Sequence, residues 1–183
     1  MHNKQLRGFY KHMPNIILKI NAETDKIYDH TDICCYLAAA SLPETLLRRL
    51  AASEKLLLLS GAAAADRVKE LDAGGLVAEV DPQKPVKAQI RPLREKIGLK
   101  KALGAVIEPT RHQAMLASET EPEFVAFRIT RENASAAAEV IRWYNELFLI
   151  QSALDLSSGL IEGKLPETDF VIINSRDYDD FSC

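Results

Sequence analysis

The chain predicts an α/β protein, a single (β/α)8 TIM-barrel-like domain. Short apolar runs alternate with helix-patterned segments seven or eight times, at intervals of roughly 20 to 25 residues, the rhythm of parallel β-α units. Capping signals open several of the helical segments. With 183 residues the chain has room for one ordinary domain but falls below the roughly 200 residues at the low end for a closed barrel, so its connections must be trimmed and the N-terminal part irregular. The domain is divided as an N-terminal segment (1–14), a barrel (15–176) and an acidic tail (177–183). A doubly wound open sheet is the structural alternative. No Gly-x-Gly-x-x-Gly follows any strand, which argues against its dinucleotide-binding form.

Asn15 to Ile20 reads as a first strand and Asp32 to Leu37 as a second, with a polar stretch between them that is either a loop or a poorly formed helix. Ser41 and Glu44 have capping-box spacing, and Leu46, Leu47, Leu50 and Ala51 continue a helix to about Glu54. Lys55 to Ser60 is a leucine run of strand length, and the alanine-rich 62–71 helix stops at Ala73-Gly74-Gly75. Leu76 to Val80 is the next strand. Lys84 to Ile97 is helical but broken by Pro85 and Pro92, and Gly98 closes it.

Residues 103–128 carry the clearest unit. Gly104-Ala-Val-Ile is a short β-branched run stopped by Pro109, and Thr110 with Gln113 forms a capping box, so a helix begins there with Arg111 and His112 in its first turn. The next strand runs to Arg128. Asn133 caps a long amphipathic helix with Val140, Ile141, Tyr144, Leu147 and Phe148 on one stripe. Leu149–Leu154 and Asp169–Asn174 supply the last strands, joined through Gly159 and Gly163.

Composition restricts the function. The chain is 47% apolar and 27% charged with a net charge of −3, which fits a globular protein and argues against nucleic acid as a partner. No apolar stretch approaches the roughly 20 residues that span a bilayer; Leu56–Ala65 is interrupted by Ser60 and Gly61. Lys4, Arg7, Lys11 and His12 precede the first strand without the apolar core of a signal peptide, so a cytoplasmic location is expected. Cys34 and Cys35 are adjacent and Cys183 ends the chain. They read as buried or incidental thiols, since no His or Cys cluster accompanies them to make a metal site.

In a parallel barrel, binding and catalytic groups gather where strands end. Those ends carry Ser60, Glu79, Asp81, Glu108, Arg111, His112, Arg128, Arg131, Asp155 and Asn174. Arg111 is the candidate fork for a phosphate or carboxylate, helped by free amides at the helix start; the plainer reading is an ion pair with Glu108 or Glu79. His112 is the candidate catalytic donor or general base, in its neutral form beside a helix N-terminus, or else a residue packed on the rim. Arg128, Ser60, Glu108 and Asn174 complete the anion-binding set. Asp81 is a candidate magnesium ligand, because a hard cation wants carboxylate oxygen and keeps its waters. Trp143 and Tyr144 read as helix packing, and Asp177, Asp179 and Asp180 as a solvated terminus.

In order along the chain, Asp72-Ala73-Gly74-Gly75-Leu76-Val77, the Gly104–Met115 segment with Glu119 and Glu123-Phe124-Val125, Trp143-Tyr144-Asn145-Glu146-Leu147-Phe148, and Thr168-Asp169-Phe170-Val171 form a set. That set resembles the thiamine-phosphate synthase (thiamine-phosphate pyrophosphorylase) and TenI-like family of small barrels, in a divergent branch with Arg-His-x-Ala-Met at the turn. The resemblance covers residues 55–174. It implies a transferase of thiamine biosynthesis that joins a pyrimidine pyrophosphate to a thiazole phosphate with Mg2+, releasing pyrophosphate. The chain departs from the family at its early Gln-x-Arg-x-Lys motif, at the Asp and His replaced by Gly74 and Val77, and at a Gly-Pro-x-x-x-Thr loop where Arg128-Ile129-Thr130-Arg131 stands. Those departures define a second reading, a catalytically inactive barrel acting as a ligand-binding or partner subunit. A small phosphorylated or anionic ligand and a homo-oligomer are the partners expected.

Overall fold

A computed structural model describes residues 14–163 and 165–182. The N-terminal basic residues and Cys183 lie outside them. Eight parallel strands close a barrel in sequence order: β1 (Asn15–Ile20), β2 (Ile33–Ala39), β3 (Leu56–Ser60), β4 (Gly75–Glu79), β5 (Ala102–Ile107), β6 (Phe124–Arg128), β7 (Gln151–Asp155) and β8 (Phe170–Asn174). β8 pairs with β1, so no sheet edge is left and the open-sheet alternative is excluded. Between strands run α1 (Glu44–Ala51), α2 (Ala64–Glu70), α3 (Val86–Ile97), α4 (Arg111–Ser118) and α5 (Ala134–Leu147).

Strand alternation divides the core. Ile17, Leu37, Leu58, Val77, Val106, Ala126, Ala153 and Ile172, one from each strand, fill the barrel interior with Phe124, as eight strands require. The residues between them, such as Leu18, Tyr36, Leu59 and Phe127, face out into the layer shared with the helices. Gly75 and Gly104 are fixed by this packing. A Cβ on Gly75 would stand 2.0 Å from the Ala102 carbonyl oxygen, and one on Gly104 would stand 2.2 Å from the Phe124 ring. Both belong to the family-like segments, and here their requirement is steric.

All eight strands form within so short a chain because two helices are missing. β1 connects to β2, and β7 to β8, with no helix between. Side chains from elsewhere cover the exposed barrel wall: Tyr28 from the first connection, Ile161 and Leu165 from the second, and Tyr178 and Phe181 from the C-terminus are buried. Within the acidic terminus Tyr178 and Phe181 are therefore packed, while Asp179 and Asp180 are exposed as a solvated tail would have them and Asp177 is half-buried. A 3-10 turn (Ser175–Asp177) leads into α6 (Tyr178–Ser182). The Tyr178 hydroxyl donates to Asp32 at 2.9 Å and lies 2.7 Å from His30 Nδ1, while the Tyr28 hydroxyl donates to Asp179 at 2.7 Å. Of the tail aspartates, Asp179 is the partner of buried Tyr28 and Asp177 accepts from the Asn174 amide.

Two helix starts differ from expectation. α1 opens with Pro43 itself as the N-cap residue and no side-chain cap, so Ser41 lies outside the capping position, and Glu44 pairs with Arg48 and Arg67. α3 is continuous through Pro92. Pro85 precedes its first turn, where a fixed φ suits entry, and burial of Val86, Ile90 and Ile97 holds the helix despite the one hydrogen bond that Pro92 removes.

Candidate functional site

The interior position above each layer of apolar side chains is polar. Continuing the inward alternation by one step places Lys19, Ser60, Glu79, Glu108, Arg128, Asp155 and Asn174 at the C-terminal mouth, one from every strand except β2, where Ala39 stands. Sequence reading found all of these except Lys19. Its signal was present: a single lysine in the otherwise apolar Ile16–Ile20 run, in step with inward Ile17.

Two ion pairs organise the mouth. Lys19 Nζ lies 3.5 Å from Glu79 Oε1. β1 and β4 are three strands apart, so this pair reaches over the opening between strands that are not neighbours. Arg128 Nη1 lies 2.6 Å from Glu108 Oε1, between neighbouring strands. The Arg128 and Glu108 side chains are 27% and 32% exposed, so the pair is partly desolvated and still reachable.

The surrounding turns are built to present this pair. Thr110 caps α4 by accepting from the Gln113 amide, as its spacing predicts. The Gln113 side chain accepts instead from the Glu108 amide at 3.0 Å, bracing the residue that holds Arg128. On the other side Asn133 donates to the Arg128 carbonyl and accepts from the Thr130 amide. It thus fixes the turn after β6 and makes no side-chain cap of α5.

Several expected roles move. Arg111 and His112 are both exposed in the first turn of α4. The Arg111 guanidinium lies 5.2 Å over the Trp143 ring on α5, a cation-π contact in the outer helical layer. In this arrangement Arg111 sits on Trp143, and neither it nor His112 joins the Glu108–Arg128 pair. Asn174 is buried, yet both amide hydrogens are spent, on the Ser157 carbonyl and on Asp177, while its oxygen accepts from Asn21. It latches three loops and has no donor left for an anion. Ser60 closes β3 on the inward side and is buried.

Asp155 is buried, with one oxygen accepting from the Ser157 amide. Together with Asp177 it puts carboxylates beside the β7 and β8 loops, the corner where barrels of this kind frequently hold phosphate. Asp81 lies in a tight turn. Its Oδ1 accepts from the Gln83 amide at 2.9 Å and its Oδ2 lies 3.2 Å from Lys84 Nζ. The amide, followed by Lys84, holds this carboxyl below its ordinary value. Among the described residues no group of three or more His, Cys, Asp or Glu could hold a metal ion, so Asp81 would offer magnesium a single carboxylate, already engaged by the Gln83 amide and Lys84.

No family model matches the chain, and no curated protein does. Solved structures share the barrel. A tryptophan synthase from M. tuberculosis in an open form aligns with a TM-score of 0.56 at 10% identity, over 93% of this chain and 85% of that one. A second Mycobacterium tuberculosis tryptophan synthase structure gives 0.56 at 12% identity, over 89% and 83%. A protein described as a deoxyribose-phosphate aldolase, from Coccidioides immitis, gives 0.51 at 10% identity, over 78% and 71%. At such identities the likeness establishes the TIM-barrel fold. Among the described residues no helix is long and apolar enough to cross a membrane.

Proposed function

We propose that the chain is a small-molecule-binding barrel whose C-terminal mouth receives the phosphate or other anionic group of a small heterocyclic compound, with Arg128 and Lys19 as its cations. One observation carries the reading. Arg128 ends β6 on the inward side, and among the described residues its side chain makes a single hydrogen bond, to Glu108, which leaves most of its five N–H donors for a ligand. Glu108 holds the guanidinium in place, and Glu79 does the same for Lys19 across the opening.

The likeness of residues 55–174 to thiamine-phosphate synthase and TenI-like barrels identifies the first compounds to test, the pyrimidine pyrophosphate and the thiazole phosphate. The Asp81 carboxylate is engaged by the Gln83 amide and Lys84, which weakens the case for magnesium at the mouth. The second reading, a catalytically silent barrel that binds a ligand or a partner subunit, is favoured by Asp155 and Asp177 at the β7–β8 corner, where like charge repels a second phosphate.

Calorimetric titration with inorganic pyrophosphate and with both compounds, with and without magnesium, tests the proposal. Charge-assisted hydrogen bonds contribute about 1.5–3 kcal/mol each, so Arg128→Ala is expected to weaken binding by roughly 10- to 100-fold. Binding without pyrophosphate release supports the silent barrel over the transferase. No binding of any of the three compounds sinks the anion-site reading altogether.

A further inference from the structure

β2 breaks strand alternation at its start. Ile16 pairs with Ile33 but Ile17 pairs with Cys35, so Cys34 is the extra residue of a β-bulge. In a regular strand neighbouring side chains point to opposite faces. Here Ile33 packs in the outer layer, while Cys34 and Cys35 both pack against the interior cluster around Ile17. The bulge thus turns two adjacent thiols to the same side, at the N-terminal end of the barrel interior and opposite the mouth. Sequence alone gave these cysteines no role because it does not show the bulge.

Both thiols are free and partly exposed. Cys34 Sγ donates to the Ile16 carbonyl oxygen at 3.3 Å, and the Cys35 thiol packs against the same interior cluster. The neighbouring Cys35 thiol lowers the Cys34 thiol below its ordinary value against the opposing effect of burial, and nearby Lys55 acts in the same direction. The Cys34 thiol and burial push Cys35 up. Lys55 is held close by the His30 carbonyl at 2.9 Å and Asp29 at 3.6 Å.

We propose that Cys34 and Cys35 form a dithiol site for a soft cation that accepts two ligands, with copper(I) as the biological example. Binding forms two S–Cu bonds and releases two protons to solvent, with no change of oxidation state. The resulting bis-thiolate carries one negative charge, which the Lys55 ammonium offsets. Soft thiolate ligands select such ions. Structural zinc is disfavoured because it takes four ligands, and among the described residues no third His, Cys, Asp or Glu completes a cluster. A disulfide is disfavoured because adjacent Cα atoms stand about 3.8 Å apart across a trans peptide, short of the roughly 4.4 Å at which disulfides begin. A bridging ion needs no such approach.

The full chain carrying Cys183→Ser keeps only these two thiols, and it is titrated anaerobically with copper(I) against the chelator bicinchoninate. One equivalent is expected to bind, and Cys34→Ser or Cys35→Ser to weaken it by about two orders of magnitude, as expected when two linked contacts become one. Unchanged uptake in either serine variant overturns the proposal, as does zinc binding of equal affinity or oxidation to a disulfide in place of uptake. Should the variants fail to fold, copper-edge X-ray absorption of the wild-type complex decides. Two sulfur neighbours support the site, and a shell of nitrogen or oxygen ligands refutes it.

Discussion

Replacing Phe181 by alanine probes how a barrel lacking two helices stays closed. Phe181 is 3% exposed and belongs to the core cluster that includes Tyr28, Ile33 and Tyr178. Removing a buried phenyl ring costs about 3–5 kcal/mol, transfer and cavity together. In a domain of this size each kcal/mol moves the melting temperature by about 2–4 °C, so a drop of the order of 10 °C is expected. Arg176→Ala is the control: the side chain is 76% exposed and its ion pair with Asp177 is 3.8 Å long, worth under about 1 kcal/mol. Urea and thermal unfolding of both variants read the difference. If Phe181→Ala melts within about 2 °C of wild type, α6 is a solvated tail after all and does not stand in for the missing helices.

Three further outcomes follow from the same structure. Gly75→Ala sets a methyl against the Ala102 backbone, which cannot swing aside as a side chain can, and circular dichroism melts are expected to show a loss at or beyond the roughly 1–3 kcal/mol of ordinary overpacking. Tyr144 is buried and its hydroxyl is raised above the ordinary value, first by burial. Its contribution is complete below the unfolded-state value near 10 and declines as pH climbs past it, so urea midpoints should fall from pH 9 to 11, and fall less in Tyr144→Phe, by up to about 1.4 kcal/mol per pH unit. Arg111→Ala removes the Trp143 contact and is expected to leave ligand affinity unchanged; a weakening like that of Arg128→Ala would return Arg111 to the site.

The strands were legible because their apolar runs are short and bounded by turn residues and helix signals, as in Leu56–Ser60 and Phe124–Arg128. The closed barrel followed from their rhythm. What escaped was nonlocal. Nothing in Tyr178 and Phe181 announces that they replace a helix, because the wall they cover lies about 150 residues earlier in the chain, at Tyr28 and Asp32. The same holds for the mouth. Glu108 and Arg128 could be found at strand ends, but Arg111 looked equally placed until the α4 geometry turned it onto Trp143. Asn174 could be placed at a strand end, but its engagement by Asn21 and Ser157, 153 and 17 residues away, was not visible in the local sequence.

A crystal soaked in inorganic pyrophosphate tests the anion site most directly. The account predicts phosphate oxygens within hydrogen-bonding distance, roughly 2.7–3.2 Å, of the Arg128 guanidinium and Lys19 Nζ at the barrel mouth. A mouth left with both ion pairs intact and the anion seated instead beside Arg111 and His112 would contradict it.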